Sequence, residues 1–409
     1  MTKFIQIFFT FVFAFVTLIE ARGTPIKREI DRISHKRAVC TPASAGDAGT
    51  DDAPAIEAAI ASCGNGGTIV IPAGKTYAIR TALSFAGCIN CDFQIEGILK
   101  ASDNLTYWNG KSAIFTMSDI TTAKVRSLTG TGLVDGNGQA TYDEYAVNTA
   151  YVRPHLWEIT GSAGITISNL EFRNSPMFFH SAGGNSKNIV YSGLTLTAVS
   201  SSSNAPKNTD GFDIGPASYV TIENTSVSNQ DDCVAFKPGA NYVTVNTISC
   251  TGSHGLSVGS LGETVGVTDT VENIYVYNAD MINSFKAVGI KLWPGGYGSA
   301  IVKNVTWDTV TVSGCGYAAQ VQSCYEQTAA YCASNPGSAS LTDIYFKNFK
   351  GTTSTSYERV IANIDCPPHG TCDVYFSGWS VSPPSGKAEY LCANIDSSPG
   401  ITCTRGATG

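Results

Sequence analysis

The sequence predicts an all-β protein, a right-handed parallel β-helix of about ten coils with an N-terminal capping α-helix. Three observations carry that expectation. Short apolar-x-apolar runs recur at intervals of roughly one solenoid coil, helical periodicity is confined to one early segment, and Gly, Asn and Ser punctuate everything between. At 409 residues, 43% hydrophobic and only 14% charged with 41 Gly, the chain is globular and rich in turns.

Positions 1–21 open with MTK and the apolar run FIQIFFTFVFAFVTLI, too short and wrongly flanked for a membrane span, and read as a secretory signal peptide. Positions 22–37 are polar, carry the pairs Lys27-Arg28 and Lys36-Arg37, and read as a short pro-segment cut after Arg37. The remainder, 38–409, is expected to be a single β-helix domain. Seven Lys or Arg and three Asp or Glu fall in positions 1–37, so the mature chain keeps 19 basic against 30 acidic residues, a net charge of -11. Such a balance argues against nucleic acid as a partner, while a few local cations still suffice to hold an acidic ligand. No later stretch is apolar enough to cross a bilayer. The expected product is a secreted, extracellular monomer, in keeping with 13 cysteines and the sequons at Asn104, Asn224 and Asn304.

Those cysteines read as a disulfide framework. Cys88-x-x-Cys91 has no second such pair, so a zinc or redox role is set aside. Local pairing joins Cys40 with Cys63, Cys88 with Cys91, Cys233 with Cys250, Cys324 with Cys332, Cys366 with Cys372 and Cys392 with Cys403, leaving Cys315 as a buried thiol. Spacing alone admits other connectivities.

The early segment GDAGTDDAPAIEAAIASCGNGG predicts a helix over about 52–62, capped by Thr50 or Asp51 and apolar at Ile56, Ala59 and Ile60. A glycine turn and a strand over 68–71 follow. The helix would cover the open first coil, whose edge would otherwise invite pairing with another chain. Beyond it come β-rich runs such as YVTIENTSVSN, YVTVNTISCTG and VENIYVYNADMINS. Taking Ile165, Ile189, Val220, Val243, Ile274, Val305 and Ile344 as equivalent, the steps are 24, 31, 23, 31, 31 and 39 residues. Each unit is too small to bury a core alone, so the units must stack.

The densest chemistry lies in KNTDGFDIGPASYVTIENTSVSNQDDCVAFKPGANYVTVNTISCTGSHGLSVGSLG, positions 207–262, which holds Asp210, Asp231, Asp232 and His254. Stacked coils about 4.8 Å apart would bring these onto one face. Acidic clustering raises the pKa of at least one member, and a protonated carboxyl beside an ionised one is what glycosidic cleavage needs: an acid for the leaving oxygen and a base for water. Asp and Asn are also common at coil corners, where they bond the backbone. Asp213 is assigned to that class, and His254 alone would read as a turn histidine. A calcium site has no use for the nearby His and Lys, so no metal and no cofactor is expected.

Asn208-Thr209-Asp210, Gln230-Asp231-Asp232-Cys233, Gly252-Ser253-His254-Gly255 and Ile290-Lys291 resemble, in order and spacing, the four motifs of the polygalacturonase family of pectin-degrading glycoside hydrolases. The resemblance covers nearly all of 38–409. It implies a right-handed parallel β-helix that hydrolyses α-1,4-galacturonosyl links with inversion and without metal. Asp231 would be the general acid, Asp210 and Asp232 would hold and activate water, and His254 would support the acid. Asn208, Lys291 and Tyr325, the last in VQSCYE, would bind substrate.

One position departs from the family. Its Arg-Ile-Lys is here Gly289-Ile290-Lys291, so a bidentate carboxylate clamp is missing, which should weaken binding of bare galacturonate by about 1.5–3 kcal/mol. The runs TDGFDIG, DDCVAFKPGANYVTV, GSHGLSVGSLG and AVGIKLWPGG are most similar to family members acting on galacturonan with xylose branches. A wider, less cationic cleft would admit that bulkier pectic polysaccharide. An exo-acting enzyme on unbranched polygalacturonate and a non-catalytic pectin-binding β-helix stay open as alternatives.

Overall fold

A computed structural model describes residues 37–409, so the signal and pro-segment expectations lie, but for Arg37, outside the described residues. The first regular element after a short strand is a helix over Ala53–Cys63. It buries Ala53, Ile56, Ala59, Ile60 and Cys63 against the first coil, as the apolar spacing requires. Its N-cap is Asp52 rather than Thr50 or Asp51. The Asp52 carboxylate turns away from the helix and accepts from Ala45 N and Ala78 N, both at 2.8 Å, tying the cap to the coil it covers.

From Thr68 onward the chain winds as a parallel β-helix. Strand pairs are parallel, and the ladders assemble into an 18-stranded and a 12-stranded sheet. The seven equivalent positions are direct cross-strand partners: Ile165 with Ile189, Ile189 with Val220, Val220 with Val243, Val243 with Ile274, Ile274 with Val305, and Val305 with Ile344. Register is set by corners. The residue before each equivalent position (Gly164, Asn188, Tyr219, Tyr242, Asn273, Asn304, Asp343) has φ between 53° and 70°. A second corner five residues later (Asn169, Gly193, Asn224, Thr247, Asn278, Thr309, Asn348) has φ between 50° and 64°. Asn and Gly tolerate this left-handed backbone at least cost, which explains their abundance at the turns. Asparagine side chains also bond from coil to coil, Asn304 Nδ2 to Asn273 Oδ1 at 2.8 Å and Asn273 Nδ2 to Asn241 Oδ1 at 2.9 Å.

Inward-facing side chains form one continuous core. Phe85, Phe93, Phe115, Trp157 and Phe172 fill the first coils, and Trp307 stacks on Phe346 at 5.1 Å further along. Each such burial contributes about 1.5–3 kcal/mol. The six expected disulfides are all present, and Cys315 is free and buried. Three helices were not legible from periodicity: Leu105–Trp108, Gln139–Val147 and Ala329–Ser334. Gln139–Val147 buries only Thr141 and Tyr142, so it has no apolar stripe to betray it.

The unequal steps have one cause. Additional residues lie at the ends of strands of the 12-stranded sheet: 198–211 before the strand Phe212–Ile214, 262–267 after Gly255–Leu261, 293–298 after Lys286–Leu292, and 323–337 after Tyr317–Gln322. They wall that sheet on both sides, and it is this face that carries the acids. The three sequon asparagines are exposed, with Asn224 and Asn304 at corners and Asn104 capping Leu105–Trp108 through an Oδ1 that accepts from Tyr107 N at 3.2 Å.

Candidate active site

Adjacent coils deliver the acids. Asp210 lies just before the strand Phe212–Ile214, and Asp232 opens the strand Asp232–Phe236, which pairs with it. Gly211 N donates to Asp232 O at 3.0 Å and His254 N to Asp231 O at 2.7 Å, locking three coils in register at this point. The closest oxygens of Asp210, Asp231 and Asp232 all lie within 4.8 Å of one another.

Their environments differ. Asp232 is fully buried, and its two oxygens accept from Lys291 Nζ at 2.6 Å and from Ser257 Oγ at 2.7 Å. Burial opposes its ionisation, but the Lys291, Lys286 and Lys237 charges outweigh that and hold the carboxyl below the usual range. Asp210 is pushed well above its ordinary value, first by burial and then by repulsion from Asp213 and Asp231. One of its oxygens is buried without a partner. Asp231 faces the cleft, with 16% of its side chain exposed. It receives Asn208 Nδ2 at 3.2 Å and Asp232 N at 2.8 Å, and His254 Nδ1 lies 3.2 Å from it.

The structure therefore brings Asp210, Asp231, Asp232, His254, Asn208 and Lys291 together. Tyr325 joins them: its ring centroid lies 5.3 Å from Lys291 Nζ, and its backbone N donates to Leu292 O at 3.0 Å. Asp232, held ionised, is ready to take a proton from water, while the raised Asp210 beside it must lose its own proton before it can assist. The spacing also suits a shared water, since two acceptors about 2.7 Å from one tetrahedral water stand about 4.4 Å apart. The convergence of three acids could suit a cation as well, but Lys291 already supplies the positive charge at Asp232.

Asp213 is not a corner residue. It lies within the strand Phe212–Ile214, is buried, and is pushed up to about 6 by burial in spite of Lys237 Nζ at 3.6 Å. The tight turn ends before Phe212, so the second Asp of the NTDGFD run is carried into the sheet beside Asp210.

Four further residues escaped the sequence reading. Arg153, itself buried, donates to Asn208 Oδ1 and Lys207 O, each at 2.6 Å, and its guanidinium lies 3.6 Å from the Tyr145 ring centroid. It holds Asn208, which is at φ 56°, towards Asp231. Ser257, on the strand Gly255–Leu261, and Lys237, just after the strand Asp232–Phe236, were signalled only by their nearness in sequence to the acid and histidine motifs. The fourth, Lys286, changes the account of Gly289. The glycine does leave room, but a Cβ there would lie 2.7 Å from Lys286 Cε and 2.8 Å from its Cδ. The space is filled by a lysine stem, so the expected loss of positive charge from the cleft is partly made good.

Three comparisons fit this geometry. The model of glycosyl hydrolases family 28 matches residues 63–403. Endo-xylogalacturonan hydrolase A of Aspergillus tubingensis is 51% identical over 401 residues, covering 98% of each chain. The crystal structure of endo-xylogalacturonan hydrolase from Aspergillus tubingensis superposes with a TM-score of 0.90 and 53% identity, covering 91% of this chain and all of that one. A polygalacturonase from Erwinia carotovora, at 19% identity and a TM-score of 0.68 over 88% of this chain and 96% of its own, shares the fold.

Proposed function

The chain belongs to family 28 of the glycosyl hydrolases, and from that premise we propose that it cleaves α-1,4-galacturonosyl links within xylose-substituted galacturonan, by inversion and without a metal. It is a glycoside hydrolase. The observation that carries the substrate is the 51% identity, end to end, with endo-xylogalacturonan hydrolase A.

In this reading Asp231 protonates the leaving oxygen. It is the most accessible of the three carboxyls, and Asn208 and His254 hold it in place. Asp210 and Asp232 share the attacking water beneath it. The closest oxygens of Asp231 and of these two lie within 4.8 Å, shorter than the roughly 6.5–9.5 Å common between acid and base in inverting enzymes, and a water held between the two bases need not fit between acid and base. Lys291 keeps Asp232 ionised, while Tyr325 and Lys291 contact the sugar. Since one carboxyl must keep its proton while another is ionised, the rate should peak on the acidic side of neutrality.

The fitting context is an extracellular monomer acting on plant pectin, with 1–21 removed as signal and 22–37 as pro-segment. Six disulfides support an oxidising compartment. N-terminal sequencing of secreted protein should begin at Ala38. Chromatography of products from xylogalacturonan beside those from polygalacturonate tests substrate and mode together. A ladder of xylosylated oligomers is expected; monomer or dimer from the unbranched polymer alone would overturn the reading in favour of exo attack. The anomeric configuration of the first product, followed by NMR, tests inversion.

A further inference from the structure

Lys286 opens the strand Lys286–Leu292 and is 2% exposed. Its stem runs between two glycines. A Cβ on Gly255 would lie 3.1 Å from Lys286 Cγ, and one on Gly289 would meet Cδ and Cε. Both positions must lack side chains for the lysine to lie as it does.

At the end of that stem the ammonium has no hydrogen-bond acceptor and no carboxylate within 4.0 Å among the described residues, in contrast to Lys291 and Lys237, which have theirs. The nearest ring is Phe285, with its centroid 5.6 Å away. Burial and the Lys291 charge push Lys286 down to about 8, so it remains a cation at acidic and neutral pH. The stem is buried while no protein group among the described residues meets the ammonium, which is left for water or a ligand to complete. An acidic sugar supplies a carboxylate for it.

We propose that Lys286, reaching over Gly289, is the group that binds a galacturonate carboxylate of the substrate. The inference rests on the galacturonan reading above. A single ammonium on a folded-back stem does the work of a projecting guanidinium while leaving the space above Gly289 free of an arginine side chain.

The test sets the charge on the protein against the charge on the substrate. Wild type and Lys286→Met are assayed on xylogalacturonan with free carboxylates and on its methyl ester, with melting temperature as a folding control. Wild type is expected to prefer the free acid roughly 10- to 100-fold in kcat/KM, the range for one charge-assisted hydrogen bond. Lys286→Met should lose that factor on the free acid over and above any loss on the ester, which reports only its share in keeping Asp232 ionised, with the melting temperature showing that the variant folds. Lys286→Gln, uncharged but polar, should behave in the same way and stands in if the methionine variant does not fold. Equal losses on both substrates, or no loss on either, overturn the inference while leaving the galacturonan reading intact. A wild type that cleaves neither form overturns that reading and the inference with it.

Discussion

Replacing Asp213 by Asn tests the electrostatic ordering of the buried carboxyls. Burial has pushed Asp213 up to about 6 from an ordinary value of 3.8, even with Lys237 3.6 Å away. A carboxyl whose folded pKa lies above its unfolded one contributes stability that is complete below the unfolded value and is lost as pH rises through the folded value. The gap of about two pH units corresponds to about 3 kcal/mol lost by wild type between roughly pH 4 and pH 7. Urea unfolding followed by tryptophan fluorescence, with the disulfides intact, should show the stability of Asp213→Asn relative to wild type growing by about that amount across the window. Any constant cost of the substitution cancels from this difference. The same change has a catalytic readout. Asp213 repels Asp210 and raises its pKa, so without it Asp210 ionises more readily and the acid limb of kcat/KM should move to lower pH. A stability difference flat to within about 1 kcal/mol over that range, or an acid limb that does not move, refutes the ordering.

Other substitutions separate charge balance from chemistry. Asp231→Asn should lower kcat by about 10²–10⁴-fold with little change in KM or melting temperature; a variant retaining full rate would remove Asp231 as proton donor and revive a binding-only protein. Lys291→Met strands an ionised, buried Asp232 and should destabilise by about 3–5 kcal/mol in urea titration. Adding Asp232→Asn to it should recover much of that loss, and failure to recover would show that the pair is not what balances the charge.

What was legible in the sequence follows from what is local or periodic. The cross-strand partners from Ile165 to Ile344 could be read because inward apolar positions recur once per coil. The disulfide pairs could be read because each closes over a short separation, at most 23 residues. Acid, histidine and lysine motifs announced themselves because stacking converts their spacing into adjacency. Contacts that cross coils obliquely left no such trace. Arg153 meets Asn208 from 55 positions away, and Lys286 folds back over Gly289 in a direction no pattern encodes. Asp213 was misread because a turn motif ran on into a strand. The helix Gln139–Val147 was hidden because tertiary contact of Tyr142 and Tyr145, not an apolar stripe, holds it in place.

The two corner ladders bear on how such a molecule can change. Over the coils from Ile165 to Ile344 the corners stay five residues apart, while the full step ranges from 23 to 39 residues. In these coils the variation in length is thus confined to segments beside the sheet that carries the acids, and none falls between the two corners. A lineage can lengthen or trim those segments, reshaping which polymers fit, while the stack and the proton chemistry beneath stay untouched. Loop grafts between relatives should accordingly transfer substrate range without a new folding problem, provided the breakpoints fall outside the five-residue corners.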